Sequence, residues 1–179
     1  MSAARLRVLS LESRRAKEIG ALIQREGGDP FVAPSVQEKA ADQAEGLRFL
    51  ERLESGEFDL VICMTGVGLA FLRDQLAPAG ALERLANALR KVTVLARGPK
   101  PLPVLRELGV KADILVPEPN TWREIVGAIA TRPERRILVQ EYGRSNAELT
   151  AALEGMGARV TPLVVYQWAL PEDCEPLRV

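Results

Sequence analysis

The run Phe58-Asp59-Leu60-Val61-Ile62-Cys63-Met64-Thr65-Gly66-Val67-Gly68-Leu69-Ala70-Phe71-Leu72 constrains this chain more than any other stretch. Its first half is apolar but too short for a buried helix, so it reads as a strand covered on both faces. Thr65-Gly66-Val67-Gly68 breaks the run, and Leu69, Leu72 and Leu76 recur behind the break at helical spacing. A strand, a glycine turn and a helix in that order point unpaired backbone N–H groups outward at the positive end of the helix dipole, where anions bind. A dinucleotide fingerprint would place Gly or Ala three residues beyond Gly68, and that position is Phe71. No Gly-Lys-Ser/Thr ending follows either, so the turn does not support nucleotide binding.

Several function classes fall away on composition. Lys plus Arg and Asp plus Glu both number 24, and this zero net charge argues against a nucleic-acid partner. No apolar run approaches the length of a membrane span, and the N-terminus lacks a secretory apolar region, so a cytoplasmic protein without a membrane partner is expected. Histidine is absent, which removes Ser-His-Asp and Cys-His catalysis and histidine-ligated metals. Cys63 and Cys174 stand far apart with no CxxC pair, and Cys63 reads as a small buried hydrophobe. No compact cluster of metal ligands is visible, so no metal is expected. At 179 residues and 47% hydrophobic, the chain suits one core-forming domain or two small ones.

Taken in order, Leu6–Leu11 predicts a strand, and Ser13 can cap a helix with an Ala16, Ile19, Leu22, Ile23 stripe. Gly27-Gly28 ends that helix, and a strand follows between Pro30 and Pro34. Residues 39–54 read as a surface helix with Leu47, Leu50 and Leu53 on one side. After the central strand and turn come a helix over Leu82, Leu85 and Leu89, a strand over 91–96, the turn Arg97-Gly98-Pro99-Lys100-Pro101 and a helix over Leu102, Leu105 and Leu108. Ile114–Val116 is a short strand, Asn120 or Thr121 caps the next helix, and 136–140 is a strand leading into Glu141-Tyr142-Gly143-Arg144-Ser145. A last helix ends at Gly157, and Val160–Val165 is a strand running into Tyr166-Gln167-Trp168. This alternation predicts an α/β fold with parallel sheets flanked by helices. Right-handed crossovers would bring the turns after Met64, Ala96 and Gln140 to one carboxyl edge, where such sheets bind ligands.

Taken together, Thr65-Gly66-Val67-Gly68, Leu95-Ala96-Arg97-Gly98-Pro99-Lys100, Tyr142-Gly143 and Val164-Val165-Tyr166-Gln167, in this order and spacing, resemble the uroporphyrinogen-III synthase family. The resemblance covers nearly all of the chain, and the ordered set carries it rather than any single motif. It implies two α/β domains joined by a two-stranded linker, the second inserted into the first, with the active site in the cleft between them. On this chain residues 1–37 would open the first domain, 38–165 would form the inserted one and 166–179 the returning linker. The first domain would then be incomplete in this chain, and self-association or a partner would complete it. The implied reaction closes hydroxymethylbilane and inverts its last pyrrole ring with loss of water and without a cofactor. It passes through an azafulvene and a spiro intermediate, and much of the catalysis is shaping of a flexible chain.

Tyr166 occupies the position of the tyrosine that the family uses near the leaving hydroxyl. A phenol of ordinary pKa about 10 stays protonated at neutral pH and can donate; the competing reading is a half-buried linker tyrosine. Thr65, Gly66 and Val67 would offer N–H groups, and Thr65 a hydroxyl, to substrate carboxylates, against a plain turn with a capping threonine. Pro99 and Pro101 have no N–H, and Pro101 departs from the hydroxyl residue of many relatives, leaving Gly98 and Lys100 as backbone donors. Arg97 could pair with a carboxylate or be a solvated turn arginine. Tyr142 and Gly143 follow another strand at the same edge, and Arg14 lies near the first helix start. The rival functions are a catalytically silent tetrapyrrole-binding module, or an α/β domain that binds another small anion.

Overall fold

Residues 60–63, Leu-Val-Ile-Cys, lie at the centre of a five-stranded parallel sheet with every side chain buried. The computed structural model describes residues 5–141, 143 and 145–178. In chain order the elements are β1 (Arg7–Ser10), α1 (Ala16–Arg25), β2 (Asp29–Val32), β3 (Gln37–Ala40), α2 (Gln43–Glu54), β4 (Leu60–Cys63), α3 (Gly66–Leu76) and α4 (Leu82–Leu89). There follow β5 (Thr93–Ala96), α5 (Leu102–Glu107), β6 (Ile114–Leu115), α6 (Trp122–Ile129), β7 (Arg136–Glu141), α7 (Ala147–Gly155), β8 (Arg159–Val164) and β9 (Tyr166–Ala169). Two short 3-10 turns, Ala77–Ala79 and Glu175–Leu177, complete the set.

The chain divides into two units, residues 40–167 and residues 1–39 with 168–179. In the larger unit the strand order is β6-β5-β4-β7-β8, all parallel. Because side chains alternate along a strand, Val61, Cys63, Val94 and Leu138 face one core while Leu60, Ile62, Leu95, Ile137 and Val139 face the other. Leu50 and Leu53 of α2, Leu69, Leu72 and Leu76 of α3, Leu85 and Leu89 of α4 and Leu105 of α5 cover the first face. Ile125 and Ile129 of α6 and Leu149 and Leu153 of α7 cover the second. Continuous apolar strands are the sequence form of a sheet buried twice, and each buried branched side chain contributes roughly 1.5–3 kcal/mol.

The smaller unit holds β1 and β2, paired in parallel, with α1 between them in sequence. β3 and β9 make a separate two-stranded ladder. Two local expectations need correction, and one open alternative is resolved. Residues 39–54 are not one helix: β3 runs through Ala40, and α2 starts behind Asp42, whose carboxylate accepts from Ala44 N–H. A capping aspartate ends the extended segment, and the leucine stripe begins only behind it. Ser13 does not cap α1, which starts behind Arg15 without a side-chain cap, and Leu22 is exposed rather than part of the buried stripe. Of the two cap candidates for α6, Thr121 takes the role in a reciprocal capping box with Glu124, while Asn120 sits before it at φ 57°.

Charge pairs gather at the amino end of the larger sheet. The Arg136 guanidinium on Asp59, helped by the N–H groups of Arg136 and Arg135, holds that carboxyl at about 2. Arg132 and the Thr93 hydroxyl hold Glu134 at about 2 in the same way.

Candidate functional site

Register in the larger unit sets Cys63 opposite both Ala96 and Gln140, so the turns behind β4, β5 and β7 leave the sheet at the same edge. The order also reverses direction at β4: β5 and β6 lie to one side, β7 and β8 to the other. The crevice outside the carboxyl ends at such a reversal is where open α/β sheets take ligands.

Thr65 is extended and caps α3, its hydroxyl oxygen accepting from Gly68 N–H at 3.0 Å. Its own N–H is turned inward and donates to Gln140 Oε1 at 3.2 Å. Gly66 and Val67, both half-buried, supply the remaining N–H groups of the first helical turn, which have no carbonyl four residues back within the helix. A Cβ on Gly66 would lie 2.3 Å from the Lys100 carbonyl oxygen, so only glycine lets the turn behind β4 approach the turn behind β5. Gly98 is buried, and a Cβ there would meet Asn120 Oδ1 at 2.7 Å; Asn120 in turn donates from Nδ2 to Val116 C=O. Arg97 is half-buried, with its N–H on Cys63 C=O, and Lys100 is exposed.

Tyr166 opens β9 and is 3% exposed, its ring stacked on Phe71 of α3 at 5.1 Å between centroids. Its carbonyl accepts from Gly143 N–H at 3.3 Å, and Gly143 holds φ at 57° in the turn behind β7. Thus Thr65, Gly66, Val67, Gly98 and Lys100 form one connected set of turns, while Tyr166 and Gly143 form a second contact that reaches α3 through Phe71. Tyr142 lies outside the described residues. Arg14 belongs to the smaller unit, where its guanidinium lies 3.5 Å from Glu38 Oε1.

Three buried polar residues, Gln140, Glu141 and Gln75, were not singled out by sequence reasoning. Gln140 is 1% exposed and Glu141 is buried beside it, accepting from the Ser145 hydroxyl at 2.9 Å. Their signal is in the sequence: two polar residues end an otherwise apolar strand, at the edge where function collects. Gln75, also buried, donates from Nε2 to Ala41 C=O at 2.8 Å and so ties α3 to the segment entering the larger unit. Cys63 is fully buried, and burial pushes its thiol up to about 12, which leaves it unreactive. Among the described residues no group of three or more His, Cys, Asp or Glu is placed to hold a metal ion, and no helix is long and apolar enough to cross a membrane.

Residues 17–178 match the family model described as Uroporphyrinogen-III synthase HemD. The chain is similar to the uncharacterized protein YjjA of Bacillus subtilis (strain 168), with 29% identity over 163 residues, 90% of this chain and 60% of that protein. Among solved structures it is similar to a mutant uroporphyrinogen III synthase of Thermus thermophilus at TM-score 0.77 and 27% identity, covering 93% of this chain and 64% of that one. The wild-type enzyme of the same organism matches at TM-score 0.66 and 26% identity, with 93% and 63% covered. This chain therefore spans somewhat under two thirds of the length of these relatives. On the match over residues 17–178, with the fold shared with the solved synthase structures, the chain belongs to the uroporphyrinogen-III synthase family.

Proposed function

We propose that this chain takes part in uroporphyrinogen-III synthesis, closing hydroxymethylbilane with inversion of its last pyrrole ring and loss of water, without a cofactor. The observation that carries this reading is Tyr166, which joins the turn behind β7 through Gly143 and packs on α3, the helix whose N-terminus lies at the carboxyl edge. In the first step the terminal hydroxyl leaves as water with a proton from Tyr166. The pyrrole nitrogen supplies the electron pair and passes its own proton to the Tyr166 phenolate, so the azafulvene is neutral and the phenol is restored. Gly66 and Val67 N–H, with Gly98, Lys100 and Arg97, hold substrate carboxylates, and Arg14 is a separate carboxylate contact of the smaller unit.

The same reading has residues 1–37 opening a first domain, 38–165 inserted into it and 166–179 returning as linker. It places the protein in the cytoplasm. Exposed Leu6, Leu9 and Leu11 support an association, with a second copy or a partner, that covers them. One observation favours a second reading, a silent tetrapyrrole-binding module: Tyr166 is almost wholly buried, and a proton donor must reach the leaving group.

A coupled assay separates the two. Hydroxymethylbilane is generated in situ, and the type III product is resolved from the type I isomer that forms without a catalyst. Type III formation that falls by about 10²-fold in Tyr166→Phe supports the enzyme, since general acid catalysis contributes at least that much. Type I product alone from a folded chain, with tight binding of uroporphyrin III, would establish the silent module.

A further inference from the structure

We propose that Gln140 is a positioning residue that sets which backbone N–H groups of the Thr65–Gly68 turn face a polycarboxylate ligand; this rests on the tetrapyrrole reading above. The Gln140 amide bridges the gap between the ends of β7 and β4. Oε1 accepts from Thr65 N–H at 3.2 Å, and Nε2 donates to Glu141 C=O at 2.6 Å. Only one orientation satisfies both contacts. A flipped amide would set donor against donor at Thr65 and acceptor against acceptor at Glu141.

Gly68 supports the same assignment independently. Its backbone is helical and has no left-handed φ, and glycine is a poor residue inside a helix. Yet a Cβ there would lie 2.0 Å from Gln140 Nε2 and 2.7 Å from its Cδ. Glycine at 68 is thus explained by the volume that the Gln140 amide occupies, 72 positions further along the chain. With Thr65 N–H held by Gln140 and Gly68 N–H held by the Thr65 hydroxyl, Gly66 and Val67 are left as the outward donors of the turn. A neutral amide suits this place. It accepts the Thr65 hydrogen bond without setting a negative charge behind the site of an anionic ligand.

The experiment uses the full chain and four proteins: wild type, Gln140→Ala, Gly68→Ala and the double variant. Three quantities are measured: hydrogen exchange at the Thr65 amide, binding of uroporphyrin III, and KM and kcat in the coupled assay. In Gln140→Ala, Thr65 exchange should quicken and the uroporphyrin III Kd and the KM should rise, each about tenfold, with kcat changed far less, because a partly buried donor has lost its acceptor. Gly68→Ala should produce the same pattern by displacing the amide. The double variant should be no worse than Gln140→Ala, because the added methyl then enters vacated space. If either single variant fails to fold, the double variant against wild type carries the test. Unchanged Thr65 exchange, or losses that simply add, would overturn the proposal. Equal losses of kcat and kcat/KM with KM unmoved would overturn it too. A wild-type chain that neither binds uroporphyrin III nor makes the type III product sinks the tetrapyrrole reading instead. The Thr65 exchange rates then decide separately whether Gln140 holds the turn.

Discussion

The two units treat the same residue type in opposite ways. In the larger one Leu60, Leu95, Leu138, Leu149 and Leu153 are all at most 1% exposed. In the smaller one Leu6 is 76%, Leu9 60% and Leu170 71% exposed, and Leu11 and Leu22 are also in solvent. Leu9 follows Val8 in β1 as Leu95 follows Val94 in β5, so the immediate sequence neighbours do not separate the two leucines. The difference is the number of layers. A five-stranded sheet with helices on both faces encloses its side chains, whereas two strands and one helix cannot. Alternation encodes a willingness to be buried, and the neighbours decide whether burial happens.

The sharpest way to break this contrast is a pair of truncations. Leu95→Ala should cost about 2–5 kcal/mol, as cavities in packed cores do, read from urea denaturation. Leu9→Ala, measured on dilute chain where no second copy covers β1, should cost no more than about 0.5 kcal/mol, the usual range for surface positions. Equal losses would mean that the β1–β2 face is covered in solution, and the contrast would fail.

Acid titration should come next in size and should act on the larger unit. Asp59 and Glu134 hold folded values of about 2, below their ordinary 3.8 and 4.5. A carboxyl whose folded pKa is depressed stabilises above its unfolded value and loses that contribution as pH falls through the folded one. The thermal midpoint should therefore fall between roughly pH 4.5 and 2, and Asp59→Asn should lower it at neutral pH while flattening that slope. In the smaller unit the Arg7–Asp29 pair is solvent-exposed at 4.0 Å, so Asp29→Asn should change the thermal midpoint at neutral pH far less than Asp59→Asn. An unaltered slope in Asp59→Asn would refute the assignment of acid sensitivity to the amino end of the sheet.

The smallest effect is chemical rather than energetic. Each unit holds one of the two cysteines, Cys63 fully buried and Cys174 partly exposed. Alkylation of the native protein at pH 8 should modify Cys174 and spare Cys63 until denaturant is added, as peptide mass mapping would reveal. Early labelling of Cys63 would mean that the larger core opens far more readily than its packing implies.

Legibility in the sequence followed the range of the interaction. The strand-turn-helix at 60–76 is read directly, because apolar runs, glycines and leucine spacing are local signals. The capping box at Thr121 and Glu124 is equally local. β3 escaped because Gln37-Glu38-Lys39-Ala40, three polar residues and an alanine, carry no apolar alternation; their strand character comes from pairing with β9, more than a hundred residues away. Ser13 has the right residue type for a cap, yet the helix starts two residues after a cap there would place it. At the carboxyl edge, Thr65 and Gly66 were legible as a turn, but the direction of the Thr65 N–H was not.

The sequence by itself determined the α/β class, the order of the elements apart from the β3–β9 ladder, the shared edge of the turns behind β4, β5 and β7, and membership of the uroporphyrinogen-III synthase family. The fold features follow from periodicity, turn residues and the handedness of crossovers, which act within one or two elements, and the family from the ordered set of turn motifs along the chain. Only the tertiary structure decided that Gln140 rather than a ligand takes Thr65 N–H, that Gly66 must admit the Lys100 carbonyl, and that Tyr166 is packed on Phe71. The reason is geometric. Those contacts join residues 34 to 95 positions apart, and a hydrogen bond or a methyl-sized gap is defined to within a few tenths of an ångström only after parallel strands have locked in register.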